Sequence, residues 1–354
     1  MLPADSDLVI VATSPDFDDS ARAVRDALLG SRYKVVFIVA SAARVPSWVD
    51  TNADKVLLRR SLRGLLAFHR AKWVVITHGL YSELPKTSRQ FFINLWHGMP
   101  VKKIGAMVGE QIPHTDIVVA ANSQYRGIMS EALDVKPEQV LVAPHPRIDT
   151  MLNVSQEGRK QHFGNKWVFL WLPTFRDRKG GKGRRDGTSG QPVFHQIGRF
   201  RKFHECLREL NAVCVIKPHP LDDISAVSTS LPEAVQFWTD QDLDDRSLSL
   251  YQLIGLSDAL ITDVSSVYFE YQQLDRPIFC FFPDFEAYES GRGFVRPFRT
   301  LIDDPILRTE QELIDQIKAS FQGRVRSDAR PAEHKSERSA LARQVLQKCG
   351  MEIQ

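Results

Sequence analysis
Short apolar runs alternating with amphipathic stretches constrain this chain more than any other feature. DLVIVAT at 7–13, YKVVFIVA at 33–40, KVLL at 55–58 and WVVIT at 73–77 read as strands, with helical spacing over 21–29 and 61–70. Residues 92–96, 117–120 and 140–143 continue the series. Apolar strands separated by helices pair in parallel and bury both faces, so the expectation is an α/β fold with helices on both sides of each sheet. Around 150–166 the pattern lapses into a polar helical stretch, then restarts at 167–172, 212–216, 235–238, 259–262 and 277–282. Two Rossmann-like halves follow, 1–155 and 156–325, with a helical tail over 326–354.

Composition sets the class. A chain of 354 residues with 43% hydrophobic and 25% charged content has the make-up of a globular protein with room for two cores. No run approaches the ~18–20 apolar residues of a membrane span, and the N-terminus MLPADSD lacks the basic start of a signal peptide. Cys206, Cys214, Cys280 and Cys349 form no CxxC pair, so reduced thiols in the cytoplasm are expected. A net charge of +3 is too small to point to nucleic acid. The charge is unevenly placed, however. Residues 176–192 (RDRKGGKGRRDGTSGQP) read as a basic, glycine-rich loop, either simply solvated or touching phosphates or an anionic membrane surface. Residues 59–70 (RRSLRGLLAFHR) read either as a plain Rossmann helix or as a basic amphipathic contact for anionic lipid.

Polar clusters just past strand ends are where open α/β sheets hold ligands. The segment ITDVSSVYFEY at 261–271 runs from a buried strand through two hydroxyls into a helix. Ser265 and Ser266 could cap that helix or leave its N–H groups to hold an anion, and Glu270 shares a face with Ser266. In WHGMPVKK at 96–103, Gly98 and Pro100 hold His97 on a tight turn suited to a general base, or to a structural histidine. In PHPRID at 144–149, Arg147 could clamp a phosphate or pair with Asp149. Thr174 and Arg176 follow one strand, and Lys217 and His219 of KPHP follow another, with prolines fixing the backbone around His219. Arg276 precedes the last strand. His97, His145 and His219 have no metal-ligand spacing, and the GxSxG, Walker and GxGxxG patterns are missing.

The ordered set WHGMPVKKIG, PHPRIDTML, LPTFRD, IKPHP, LITDVSSVYFEY, RP and YESGRGF resembles the CDP-glycerol glycerophosphotransferase family, the teichoic acid primases and polymerases with related capsule polymerases. The likeness spans roughly residues 70–320, in order. It implies the GT-B architecture, two facing Rossmann-like domains: an acceptor-side N-terminal one and a nucleotide-donor C-terminal one. It also implies transfer of a polyol phosphate from a CDP-activated donor such as CDP-glycerol to a hydroxyl of a lipid-linked or polymeric acceptor, with release of CMP.

Carried over to this sequence, the resemblance makes His97 the base that takes the acceptor proton. His219 and Lys217 neutralise the pyrophosphate, Ser265 and Ser266 hold it, and Glu270 accepts from the ribose. Arg147, Thr174 and Arg176 are expected around the donor phosphates or cytidine, with Gly98, Lys102, Asp263 and Arg276 supporting the acceptor side or the site. In-line phosphoryl transfer calls mainly for positioning and charge stabilisation, so no metal is demanded, although a divalent ion stays compatible. The family usually has Gly-Tyr-Pro-Arg-Asn-Asp near Arg147, Tyr in place of Val264 and Thr in place of Met99. These departures bear on the polyol moved more than on the reaction class. The expected place of work is the cytoplasm, peripherally at the inner membrane face, as a compact primase-like or single-module enzyme. The alternatives are a GT-B nucleotide-sugar glycosyltransferase and a catalytically silent nucleotide-binding subunit.

Overall fold
A computed structural model of the chain describes residues 5–41, 45–174, 193–219, 222, 231–291, 293–321 and 340–353. It divides into two units, Met1–Asn153 with Lys335–Gln354, and Val154–His334. Arg176 and the basic stretch 176–192 lie outside the described residues.

The first unit is a seven-stranded sheet. Its strands are β1 (Asp5–Ala12), β2 (Lys34–Val39), β3 (Lys55–Leu58), β4 (Ala71–Ile76), β5 (Phe91–Asn94), β6 (Ile117–Ala120) and β7 (Val140–Val142). The spatial order is β3-β2-β1-β4-β5-β6-β7, and every pairing is parallel. Val9 of β1 lies between Val35 of β2 and Trp73 of β4, so the apolar runs stack into one core. Helix Asp19–Leu28 starts where the Asp18 carboxylate accepts from Ala21 N, and Leu62–Arg70 starts where Ser61 Oγ accepts from Gly64 N. The tail assigned to the end of the chain supplies helix Ala340–Lys348. Its Ala342, Val345 and Leu346 are buried in the same core as Val9, Val24 and Phe37. Asp149 holds its start, accepting from Leu341 N at 3.3 Å and Ala342 N at 3.0 Å.

The second unit repeats the plan with six strands. These are β8 (Trp167–Leu172), β9 (Ala212–Ile216), β10 (Val235–Phe237), β11 (Ala259–Thr262), β12 (Ile278–Phe281) and β13 (Ile306–Leu307). They lie in the order β10-β9-β8-β11-β12-β13, all parallel. Phe169, Trp171, Cys214, Ile261 and Phe281 form its centre. Burying each of the large side chains contributes roughly 1.5–3 kcal/mol. A buried Arg159–Asp258 ion pair ties the helix before β8 to the start of β11, and the same Asp258 oxygen accepts from Val168 N at 2.8 Å. The two-residue β13 has no counterpart in the sequence reading.

Each sheet reverses its strand order once, between β1 and β4 in the first unit and between β8 and β11 in the second. At such a point the neighbouring crossovers leave to opposite faces and open a crevice at the carboxyl ends of the strands. The candidate residues gather around these two places.

Candidate active site
In the first unit, Thr77 follows β4 and extends the ladder by donating from its N–H to Ala12 O at 3.3 Å. Its carbonyl lies 3.1 Å from His97 Nδ1. A carbonyl only accepts, so Nδ1 carries the proton and Nε2 keeps the lone pair. That is the tautomer a general base needs. His97 itself sits on a turn built by neighbours. Trp96 is left-handed at φ 60 and Gly98 has φ 129, a conformation that glycine tolerates without a Cβ clash. The Trp96 N–H donates to Asn94 Oδ1 at 2.9 Å, and buried His145 Nε2 bonds Trp96 O at 3.0 Å. Arg147 Nη2 donates to His97 O at 3.0 Å. Lys102, on the same turn, is half-buried.

The PHPRID stretch has defined partners within the first unit. His145 and Arg147 hold the backbone of the WHG turn, and Asp149 holds the C-terminal helix. Arg147 stands in the unit of His97 with one amino group engaged by a main-chain carbonyl.

A residue that the sequence reading passed over completes the cluster. His78 stacks on His97 with ring centroids 4.0 Å apart and planes 14° apart, and Trp96 lies against the other neighbour, 4.2 Å from His97. Desolvation first, then the nearby His78, push His97 well below its ordinary pKa against the upward pull of the Thr77 carbonyl, with smaller lowering contributions from the Arg147 and His145 charges. The residue keeps an exposed edge, where water moderates the desolvation, so the downward direction is what the surroundings fix. His78 is pulled down to about 4 by desolvation and by Arg147. Both rings are neutral near pH 7.

In the second unit, Thr174 follows β8 and Asp263 follows β11, on the two strands flanking the reversal. Asp263 Oδ1 accepts from Thr174 N at 3.0 Å and from Thr174 Oγ1 at 2.5 Å, bridging it. Ser265 and Ser266 come next, both half-buried. Ser266 stands at the start of helix Val267–Tyr271 with no side-chain cap, and Ser265 Oγ makes only a long 3.4 Å contact with Val267 N. The capping alternative is thus weakly realised. Lys217, after β9, is buried, with Nζ 2.8 Å from Asp240 Oδ1 and 3.3 Å from Pro218 O. Its partner's side chain is 63% exposed. His219 is exposed, and its N–H donates to Asp222 Oδ2 at 2.9 Å. Glu270 is buried and accepts from the Tyr251 hydroxyl. Arg276 donates to the carbonyls of Gly255 and Ser257, a supporting role that closes the turn before β11. Among the described residues no group of three or more His, Cys, Asp or Glu could hold a metal ion.

Comparison with known proteins follows the same lines. Residues 1–336 match the family described as CDP-Glycerol:Poly(glycerophosphate) glycerophosphotransferase. The chain belongs to this family. It is therefore a member of a transferase family, as the seven motifs imply. A teichoic acid poly(glycerol phosphate) polymerase of Bacillus subtilis (strain 168) is 26% identical over 318 residues, covering 81% of this chain and 40% of the relative. The chain thus spans less than half of that protein. The corresponding Bacillus spizizenii polymerase is also 26% identical, over 90% of this chain and 84% of its own length. Among solved structures, the wall teichoic acid polymerase TagF, as a variant soaked with CDPG, superposes with a TM-score of 0.70 at 19% identity, over 98% of this chain and 89% of that one. A Methanocaldococcus jannaschii UDP-GlcNAc 2-epimerase superposes at 0.53 with 10% identity, covering 96% and 98%. These likenesses bear out the α/β fold of GT-B class with two parallel sheets.

Proposed function
We propose that this protein moves glycerol phosphate, or a related polyol phosphate, from a CDP-linked donor to a hydroxyl of a lipid-linked or polymeric acceptor in teichoic-acid-like wall or capsule synthesis. The observation that carries the proposal is the fixed tautomer of His97, with Nδ1–H on Thr77 O and Nε2 free to accept a proton. In the reaction the acceptor oxygen attacks the polyol-bearing phosphorus and its proton passes to His97 Nε2. The bond from that phosphorus to the bridging oxygen breaks, and CMP leaves with the electron pair. The first unit supplies the base. The second holds the donor, with Lys217 and His219 facing pyrophosphate charge, Ser265 and Ser266 offering hydroxyls and N–H groups, and Glu270 accepting from ribose. Thr174 and Asp263 shape the loop beside it. Positioning and charge stabilisation of this kind lower a phosphoryl-transfer barrier without a covalent intermediate.

Incubation with CDP-glycerol, CDP-ribitol, UDP-sugars and a synthetic lipid-linked acceptor tests this reading by mass spectrometry. CMP release with a polyol phosphate added to the acceptor is expected. UDP release from a sugar donor would replace the reading with glycosyl transfer, and no turnover with retained donor binding would favour a silent subunit.

The place of work is the inner membrane face, held peripherally. Among the described residues no helix is long and apolar enough to cross a membrane. Helix Leu62–Arg70 buries Gly64 and Phe68 against its sheet, which satisfies the plain Rossmann reading. Its outer side carries Leu62 at 72% and Leu66 at 39% exposure, next to Leu58 at 45%. Arg59, Arg60, Arg63 and Arg70 are exposed around them. Leucines ringed by arginines suit an anionic bilayer surface, each cation contributing about 1 kcal/mol there. Flotation with phosphatidylglycerol vesicles should carry the protein upward, and the triple variant R59Q/R60Q/R63Q should stay in the dense fraction. Equal flotation of both proteins would remove this surface from the proposal.

A further inference from the structure
The pairing of two imidazoles at the β1/β4 reversal goes beyond a single general base. Thr77 is fully buried, and its two polar ends act on different histidines. The carbonyl takes the His97 Nδ1 proton at 3.1 Å. The hydroxyl oxygen accepts from Ser14 N at 3.2 Å and lies 3.2 Å from His78 Nδ1. The hydroxyl has a donor and a second lone pair left after Ser14, so it can meet His78 Nδ1 in either direction. Desolvation and the Arg147 charge keep His78 neutral. Protonating His78 would put a cation against the His97 ring, with centroids 4.0 Å apart.

We propose that His78 is a positioning residue for His97, a neutral stacking platform that fixes the plane of the base. The proposal rests on the reading of His97 as the base. Stacking at 14° between planes stops the His97 ring from swinging about its last torsion, so the lone pair does not wander between collisions with the acceptor. The other charged or titratable groups around His97 are Arg147, which holds its carbonyl, buried His145 and, near Arg147, Asp18. Arg147 and His145 disfavour protonation of His97, as His78 does.

Two variants separate a platform from a filler, His78→Ala and His78→Phe, read by steady-state transfer from CDP-glycerol and by ring 15N–1H NMR of His97. The alanine variant is expected to lose on the order of tenfold in kcat with donor KM unchanged. The phenylalanine variant, which keeps a flat face, should recover most of that loss. In the NMR arm, His97 in the wild type shows one tautomer with the proton on Nδ1. In His78→Ala the Thr77 carbonyl should keep the proton on Nδ1 while the titration midpoint of His97 rises. An unchanged His97 midpoint in the alanine variant would overturn the proposal, as would a phenylalanine variant no better than alanine. The NMR arm needs no donor. A wild type that transfers nothing therefore sinks the transfer reading while the ring pair is still decided separately.

Discussion

The two strand-order reversals share a topology and differ in how their polar groups are kept. Around β1 and β4, the groups are locked by main-chain partners. Thr77 O holds His97, Trp96 O takes His145, and His97 O takes Arg147. Around β8 and β11, and beside them on β9, side chains hold side chains. Asp263 takes Thr174, Asp240 takes Lys217, and Glu270 takes Tyr251. A main-chain partner belongs to the fold and stays put through a reaction cycle. A side-chain partner, above all one as exposed as Asp240, can be exchanged for a ligand at modest cost. The first crevice therefore presents its groups in fixed positions, whereas the second keeps its cation and hydroxyls on partners that can be exchanged.

The largest effect should come from the locked side. His97→Ala removes the proton acceptor and is expected to lower kcat by about 10²–10⁴ while leaving donor KM within a few-fold. The pH profile sharpens the point. Because the folded surroundings lower the His97 pKa, the base form persists below the ordinary value of 6.5. Wild-type kcat should run flat through pH 6.5 and fall only on further acidification. A clear inflection near 6.5 assigned to His97 would break the contrast, since it would mean the locked site exerts no hold on its proton.

The exchangeable side predicts opposite signs at one ion pair. Lys217→Met removes the cation and should raise donor KM by roughly 10–100-fold, the worth of one to two charge-assisted hydrogen bonds. Asp240→Asn removes only the stand-in carboxylate. The freed ammonium should then bind CDP-glycerol more tightly, with a lowered KM, while the apo protein loses stability because a buried cation has lost its partner. Calorimetric titration with the donor and thermal melts without it would read both. If Asp240→Asn weakened binding as much as Lys217→Met, the pair would be a fixed structural bridge like Arg159–Asp258, and the two crevices would be alike.

Most strand positions could be read from the sequence because buried parallel strands are apolar throughout. KVLL, IVVA, WVFLWL, AVCVI and ALIT fall on β3, β6, β8, β9 and β11 to the residue. The two residues of β13 carry too little pattern to be seen. His78 was missed for a different reason. WVVIT read as a strand ending at Thr77, and the next residue gained meaning only once β4 was known to lie beside β1, which is a fact of topology rather than of periodicity. The inward turn of PHPRID was hidden for the same cause, since His145 meets Trp96 across 49 positions and Arg147 meets His97 across 50. The pairing of Lys217 with Asp240 also requires the fold, because β10 intervenes.

A smaller effect tests the buried carboxylate of the second unit. Tyr251→Phe takes away the hydroxyl that donates to Glu270. Leaving a buried carboxylate short of a donor costs about 1–3 kcal/mol, which urea titration should detect. Bound donor should restore part of the loss if Glu270 then accepts from ribose hydroxyls, so the deficit between variant and wild type narrows when CDP-glycerol is present. An equal deficit with and without donor would place Glu270 in the framework, with the main-chain partners of the first crevice.

The smallest effect concerns Asp18, whose carboxylate caps helix Asp19–Leu28 through Ala21 N at 2.9 Å. Desolvation raises its pKa to about 6, against the Ala21 bond and the Arg147 charge, both of which lower it. A carboxyl with a raised folded-state pKa holds its proton more tightly in the native protein than in the unfolded chain. Its contribution to stability is therefore complete below the ordinary value of 3.8 and is lost as pH rises through about 6. Asp18→Asn keeps a capping oxygen and removes the titration. Between pH 4 and 6 the melting temperature of the wild type should fall relative to the variant by about 2–4 °C, the equivalent of ~1 kcal/mol in a protein of this size. Parallel melting curves across that window would show that the locked crevice stops short of Asp18 and holds only its imidazoles.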